Sequence, residues 1–123
     1  MTGKSILLVD DSAHNLKLTR FLLEQEGFDV RIAENAERAL IALEKHVPDL
    51  ILMDIQLPGM DGLQLTRHLR RDASLSGVPI VAFTASAIKG DEEIARASGC
   101  DGYVTKPINT RTFGSVVRGY LTR

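Results

Sequence analysis

The sequence has one cysteine, Cys100, in 123 residues. A lone cysteine excludes an internal disulfide and a zinc site built on cysteines. No apolar run approaches the ~18 residues of a membrane span. Only four apolar residues, Ile6 to Val9, precede Asp10 after the polar start Met1-Thr2-Gly3-Lys4-Ser5. That is too short for the apolar centre of a signal peptide. With no leader and one cysteine, the expected location is the cytoplasm. Neither sign of charge dominates: Lys and Arg number 15, Asp and Glu 16, and the net charge is −1. Such a balance gives no basis for binding nucleic acid or an anionic membrane. The sequence also lacks repeats, low-complexity stretches and linkers. One domain over residues 1–123 with no attached output module is therefore expected.

What the chain does have is the material for a core. Ile, Leu and Val number 33, hydrophobic residues make up 44% and charged residues 25%, which rules out intrinsic disorder. The apolar residues fall in an alternating pattern. Ile6-Leu7-Leu8-Val9 and Leu50-Ile51-Leu52-Met53 are short continuous runs, as in strands covered on both faces. Phe28 to Ala33 alternates, with Phe28, Val30 and Ile32 on one face, and suits an edge-like strand. Val78 to Phe83, with Pro79 at its start, and Gly102 to Val104 complete five strands.

Helices are expected between the strands. Ser12 to Glu26 carries Leu18, Phe21 and Leu22 on one side and Leu16 and Leu23 on another, and Gly27 stops it. Asn35 caps a helix with the stripe Ala36, Ala39, Leu40, Leu43 and Val47, ended by Pro48. Leu63 to Arg71 follows a Pro-Gly loop, Leu57 to Gly62, in which Gly62 permits a close approach or a positive φ. Ala87 to Ser98 is a weaker helix closed by Gly99. The last helix shows Phe113, Val116, Val117, Tyr120 and Leu121. Strict β-α alternation means an α/β fold, a doubly wound parallel sheet with helices on both faces.

In such sheets the chemistry lies beyond the carboxyl ends of the strands. Those ends carry Asp10-Asp11, Asp54, Thr84 and Thr105-Lys106-Pro107, whereas Ala33-Glu34 offers nothing comparable. Singly, each has an ordinary explanation: Asp11 or Ser12 caps a helix, Thr84 is a strand threonine, Lys106 is solvated. Turn chemistry does not explain the set. Carboxylates ~4 Å apart at an effective dielectric near 20 repel by about 4 kcal/mol per pair. A fold tolerates that with a cation, a bound proton or wide spacing. Carboxylate and carbonyl oxygens suit a hard divalent ion, with Mg2+ the natural occupant. A divalent ion, a lysine and a hydroxyl together suit the oxygens of a phosphoryl group. Asp54, alone at a central strand end, is the best candidate for an aspartyl-phosphate.

These residues, with Met53-Asp54-Ile55-Gln56-Leu57-Pro58-Gly59-Met60-Asp61-Gly62, Thr84-Ala85 and Lys106-Pro107, resemble the response-regulator receiver domain, the CheY-like fold. The resemblance covers essentially the whole chain. It implies a five-stranded parallel sheet in the order 2-1-3-4-5 flanked by five helices. The stretches Met53 to Gly62 and Gly99-Cys100-Asp101-Gly102-Tyr103 look most like stand-alone single-domain regulators of the DivK kind and the receivers of hybrid kinases.

The resemblance implies a role for each site residue. Asp54 is the phosphoacceptor. Asp11 and Asp54 bind Mg2+ by their side chains, Gln56 by its main-chain carbonyl and Asp10 through a water, with Mn2+ able to substitute. Lys106 pairs with the phosphoryl group, Thr84 hydrogen-bonds to it, and Ala85 leaves space beside it. Lys106-Pro107 matches a cis peptide. Thr84 and Tyr103 form the switch: the hydroxyl moves inward and Tyr103 turns in behind it, which changes the face made by helix four, strand five and helix five. Gln56 and Ser86 occupy positions that tune phosphoryl lifetime. The implied function is a two-component response regulator, a phosphoacceptor switch rather than an enzyme. Its implied partners are a histidine kinase or a histidine phosphotransfer protein and a downstream protein.

Outside the site, Cys100 reads as a buried packing thiol. Lys106, Arg111, Arg118 and Arg123 read as a solvated basic face. A monomer is expected because no long apolar stripe is left over. Three other readings fit less well. A haloacid-dehalogenase-like phosphohydrolase would show Asp-x-Asp where this chain has Asp54-Ile55-Gln56, and would need a cap domain. A flavodoxin-like cofactor protein would need a phosphate loop where Asp10-Asp11 would repel the ligand. A receiver that acts without phosphorylation usually lacks an acid or the lysine.

Overall fold

The computed structural model describes residues 3–55, 61–84, 91–105 and 110–121. In chain order the elements are β1 (Ser5–Val9), α1 (Ala13–Gln25), β2 (Asp29–Ala33), α2 (Ala36–Lys45), β3 (Leu50–Met53), α3 (Gly62–Arg70), β4 (Ile80–Thr84), α4 (Asp91–Ala97), β5 (Gly102–Thr105) and α5 (Phe113–Leu121). A turn of 3-10 helix, Ala73–Leu75, precedes β4. The strands form one sheet in the order β2-β1-β3-β4-β5, and every pairing is parallel. This is the expected order.

The apolar runs explain the layering. Every residue of β1, β3 and β4 is buried, as a strand covered on both faces requires. Side chains alternate between faces. Leu7, Val9, Ile51, Met53, Ile80 and Ala82 pack with Ala39 and Leu43 of α2, Leu65 and Leu69 of α3, and Ala95 of α4. Ile6, Leu8, Leu50, Leu52, Val81 and Phe83 pack with Leu16 and Leu23 of α1 and Phe113 and Val117 of α5. Phe83 and Phe113 meet edge to face at 5.8 Å between ring centres.

Local chemistry sets the helix ends. Ser12, Asn35 and Asp61 each accept an amide N–H three residues on, from Asn15 at 3.3 Å, Arg38 at 2.8 Å and Gln64 at 2.8 Å. These are N-caps, worth about 1 kcal/mol apiece. Gly27 and Gly99 end α1 and α4 with φ of +92° and +114°, angles at which an L side chain is strained.

The structure corrects several details. α2 stops at Lys45, and Val47 lies beyond it, exposed. His46, which ends the helix, is extended at φ −159° and ψ 129°, two residues before Pro48, whose ring disfavours helix in the residue that precedes it. In β2, Ile32 is 40% exposed although Phe28 and Val30 of the same face are buried, and Ala33 is buried on the opposite face, because an edge strand has one side uncovered by a neighbouring strand. α1 buries Leu16, Thr19 and Leu23. Only one stripe of a helix can face a sheet, so Leu18 and Phe21 remain exposed. An apolar surface is therefore left over, contrary to expectation. In α5, Phe113 and Val117 face inward, Tyr120 and Leu121 are half-buried, and Val116 is exposed at the rim. β4 runs Ile80–Thr84, with Pro79 just outside it, and the 3-10 turn occupies what reads as loop. The expected start of the fourth helix at Ala87 lies outside the described residues.

Candidate functional site

Two ladders continue past the strand ends and fix the site. The Asp10 N–H donates to the Ala33 carbonyl at 3.1 Å, and the Asp54 N–H donates to the Val9 carbonyl at 2.8 Å. Because Val9 is in register with Met53, the next residues on these neighbouring strands, Asp10 and Asp54, lie side by side. Adjacent strands run about 4.8 Å apart. Asp10, Asp11 and Asp54 each bring a carboxylate oxygen within 4.8 Å of the others. Asp10 and Asp54 are buried, 1% and 5% exposed, while Asp11 is open to solvent. One Asp10 oxygen accepts the Ser12 N–H at 2.9 Å, so the start of α1 holds that carboxylate in place.

The cluster sits between β1 and β3, where the chain reverses its direction across the sheet. That is the topological switch point, at which open α/β sheets bind their ligands. At 4.8 Å and an effective dielectric near 20, each pair of ionised carboxylates repels by roughly 3–4 kcal/mol. The oxygen-only donor set, partly buried and open at Asp11, matches a hard divalent cation that retains water ligands.

Thr84 ends β4 at the same sheet edge, fully buried, in register with Thr105. Tyr103 lies opposite Ala82 on β5, half-buried against the cluster beneath α2, α3 and α4. By the two-residue alternation of strands, Thr84 and Tyr103 share a face of the sheet and are diagonal neighbours. Of the expected site residues, the structure thus gathers Asp10, Asp11 and Asp54 and puts Thr84 and Tyr103 on adjoining strands. Gln56, Ala85, Ser86, Lys106 and Pro107 lie outside the described residues.

Gly62, at the start of α3, lies close against the backbone that follows β3. Its N–H donates to the Ile55 carbonyl at 3.3 Å, and the Gly62 carbonyl accepts from Thr66 Oγ1 at 2.7 Å. Its φ is not positive, so of the two expected uses the structure shows the close approach. Sequence reading missed the partners of two arginines. Arg118 stays partly solvated but pairs with Glu26 at the end of α1. Arg70 binds the corner before β5. Neither partner lies within reach along the chain, so no local pattern signals it.

Fold and site together define a doubly wound α/β protein that collects carboxylates at its switch point. Residues 6–118 match the response regulator receiver domain, and the chain belongs to that family. It is 44% identical over 118 residues to the polar-differentiation response regulator DivK of Brucella anthropi, spanning 96% of each chain. The DivK of Brucella ovis is 43% identical over the same share. Among solved structures, a response regulator from Chloroflexus aurantiacus superposes with a TM-score of 0.94 at 28% identity, covering 99% of this chain and 100% of that one. The receiver domain of a Pseudomonas aeruginosa sensor histidine kinase, with a magnesium ion coordinated in its active-site cleft, gives 0.90 at 31% identity over 99% and 100%. The protein is a DivK-like receiver domain of two-component signalling, a phosphoacceptor switch rather than a conventional enzyme. No helix among the described residues is long and apolar enough to cross a membrane.

Proposed function

We propose that Asp54 accepts a phosphoryl group from a phosphohistidine of a histidine kinase or phosphotransfer protein, and that the product signals by protein contact through α4, β5 and α5. The observation that carries this reading is the convergence of Asp10, Asp11 and Asp54 within 4.8 Å at the switch point. In the transfer, an Asp54 carboxylate oxygen forms the bond to phosphorus. The phosphorus–nitrogen bond breaks, and its electron pair stays on the imidazole.

The acidic donor set fits Mg2+, and Mn2+ by the same oxygen chemistry. Asp11 and Asp54 would hold the ion by their side chains, Gln56 by its main-chain carbonyl and Asp10 through a water. When bound it supplies charge neutralisation for carboxylates and phosphoryl oxygens. Lys106 offsets phosphoryl charge from the other side, Thr84 donates its hydroxyl to a phosphoryl oxygen, and Ala85 leaves room for it. Ser12, through its N–H, keeps Asp10 oriented. The buried position of Thr84 beside Tyr103 supports a switch in which movement of the hydroxyl is sensed on β5.

The test is to incubate the protein with Mg2+ and acetyl phosphate and weigh it. One added phosphoryl is expected, absent in Asp54→Asn. No adduct, or the same adduct in Asp54→Asn, overturns the assignment.

A further inference from the structure

α4 is thinly held by packing. Of the side chains described between Glu92 and Ala97, only Ala95 is buried. A helix that buries so little apolar surface belongs to the low-stability end of a fold. Among the described residues, its polar ties to the rest of the fold lie at its C-terminal corner. The Cys100 N–H donates to the Ala95 carbonyl at 3.1 Å. Arg96 Nη1 donates to the Asp101 carbonyl at 3.1 Å, and its Nε pairs with Glu92 at 3.0 Å.

That corner is gripped from outside by Arg70, the last residue of α3. Its Nε donates to the Gly99 carbonyl at 2.8 Å. Its Nη1 donates to the carbonyls of Val78 at 2.9 Å and Leu75 at 3.3 Å. Its Nη2 pairs with the Asp101 carboxylate, and the same Asp101 oxygen accepts the Ile80 N–H at 2.9 Å. The Asp101 N–H donates to the Ile80 carbonyl at 2.7 Å. A Cβ at Gly99 would lie 2.6 Å from Arg70 Cγ, so the arginine stem covers the glycine that ends α4. A planar, rigid guanidinium matches this fan of fixed acceptors, and an ammonium does not.

We propose that Arg70 is a positioning residue of the switch: its clasp pins the α4–β5 corner, and α4 turns as a unit about that pinned corner when the acceptor end changes state. The proposal rests on the reading that a phosphoryl group on Asp54 alters the α4, β5 and α5 face. Tyr103 stands two residues beyond Asp101, and β5 spans only about 10 Å at 3.3 Å per residue. The clasp and the phosphoryl-binding edge therefore hold opposite ends of one short strand. With the corner fixed, a change at the far end goes into α4. With the corner loose, it dissipates there.

The experiment uses amide hydrogen exchange and NMR on the wild type, Arg70→Met, which keeps the stem over Gly99, and Arg70→Lys, which keeps the charge without the fork. Asp101→Asn serves where Arg70→Met does not fold. Exchange at residues 92–101 is expected to quicken about tenfold or more in Arg70→Met and nearly as much in Arg70→Lys, ahead of any change in β1 and β3. Beryllofluoride with Mg2+, as a phosphoryl mimic, should still shift signals at the acid cluster in the variants, while shifts on α4 fall to half or less of the wild-type size. Uniform quickening across the sheet, or undiminished α4 shifts, overturns the proposal. Absence of any shift at the acid cluster of the wild type instead overturns the phosphoacceptor reading, and the exchange contrast still decides the clasp.

Discussion

A Cβ placed on residue 62 would lie 2.2 Å from the carbonyl oxygen of Asp54 and 2.5 Å from Cα of Ile55. The first turn of α3 is thus laid directly against the backbone that follows β3, and only glycine lets it approach so closely. Both obstacles are main chain, which cannot swing aside as a side chain could. Gly62→Ala should therefore force α3 away from β3 and cost about 1–3 kcal/mol or more, as overpacking does. Urea unfolding would show a lower midpoint, and Mg2+ affinity should fall with it because the displaced backbone carries Asp54. A variant with unchanged midpoint and affinity would contradict this contact.

The acid cluster stores repulsion that a neutral residue would relieve. In a chelator, Asp54→Asn should be more stable than the wild type by about 1–2 kcal/mol, below the Coulomb ceiling of roughly 3–4 kcal/mol per pair because Asp11 is solvated. Millimolar Mg2+ should raise the wild-type urea midpoint through binding to the native state and leave the variant nearly unmoved, so that the gap narrows or reverses. Equal stabilities in the chelator would show that the carboxylates do not repel appreciably.

The parts of this fold that local sequence encodes were legible, and the parts made by remote side-chain contacts were not. β1 and β3 stand out as apolar runs because both faces are covered. Ser12 and Asn35 cap helices because their side chains need only reach three residues ahead. The acids were legible because a strand end is itself a position in the pattern. α1 was over-read: five apolar residues mark a helix, but rotation about its axis, set by the sheet, decides that Leu16 and Leu23 go in while Leu18 and Phe21 stay out. The 3-10 turn depends on Asp72 accepting from the Ser74 N–H at 3.0 Å and hydroxyl at 2.7 Å, a small motif with no apolar signature. Arg70 and Asp101 are 31 residues apart and Glu26 and Arg118 are 92 apart. Such pairs become visible only once helices have been placed on faces.

Cys100 predicts a pH dependence. Burial pushes its thiol above the ordinary value of 9.0, opposed in part by the Thr66 hydroxyl, 3.9 Å from the sulfur. The folded state therefore keeps the proton to higher pH than the unfolded chain does. Below about pH 9 the thiol adds no slope to stability. Above it the unfolded thiol ionises first, and stability falls until the folded pKa is passed. Cys100→Ala should remove that part of the alkaline decline in urea midpoint, at the cost of a small cavity at neutral pH. In the native wild type, a thiol reagent at pH 8 should react far more slowly than in urea. A native rate close to the denatured one would place the thiol at the surface.

Glu26 and Gly114 supply the last prediction, because two small effects there oppose each other. Arg118 on α5 pairs with Glu26 at the end of α1, both roughly two-fifths exposed, so the bridge is worth under about 1 kcal/mol. A Cβ on Gly114 would lie 2.4 Å from Glu26 Oε1. Glycine inside a helix costs roughly 1 kcal/mol against alanine, so Gly114→Ala gains helix propensity while pushing the carboxylate off the arginine. With Glu26 intact the two should largely cancel. In a Glu26→Ala background the obstruction and the bridge are both gone, and Gly114→Ala should then stabilise by nearly the full propensity difference. Urea midpoints of the four proteins in this cycle measure the coupling. If Gly114→Ala has the same effect in both backgrounds, the glycine is not there to seat the carboxylate, and the α1–α5 bridge forms without its help.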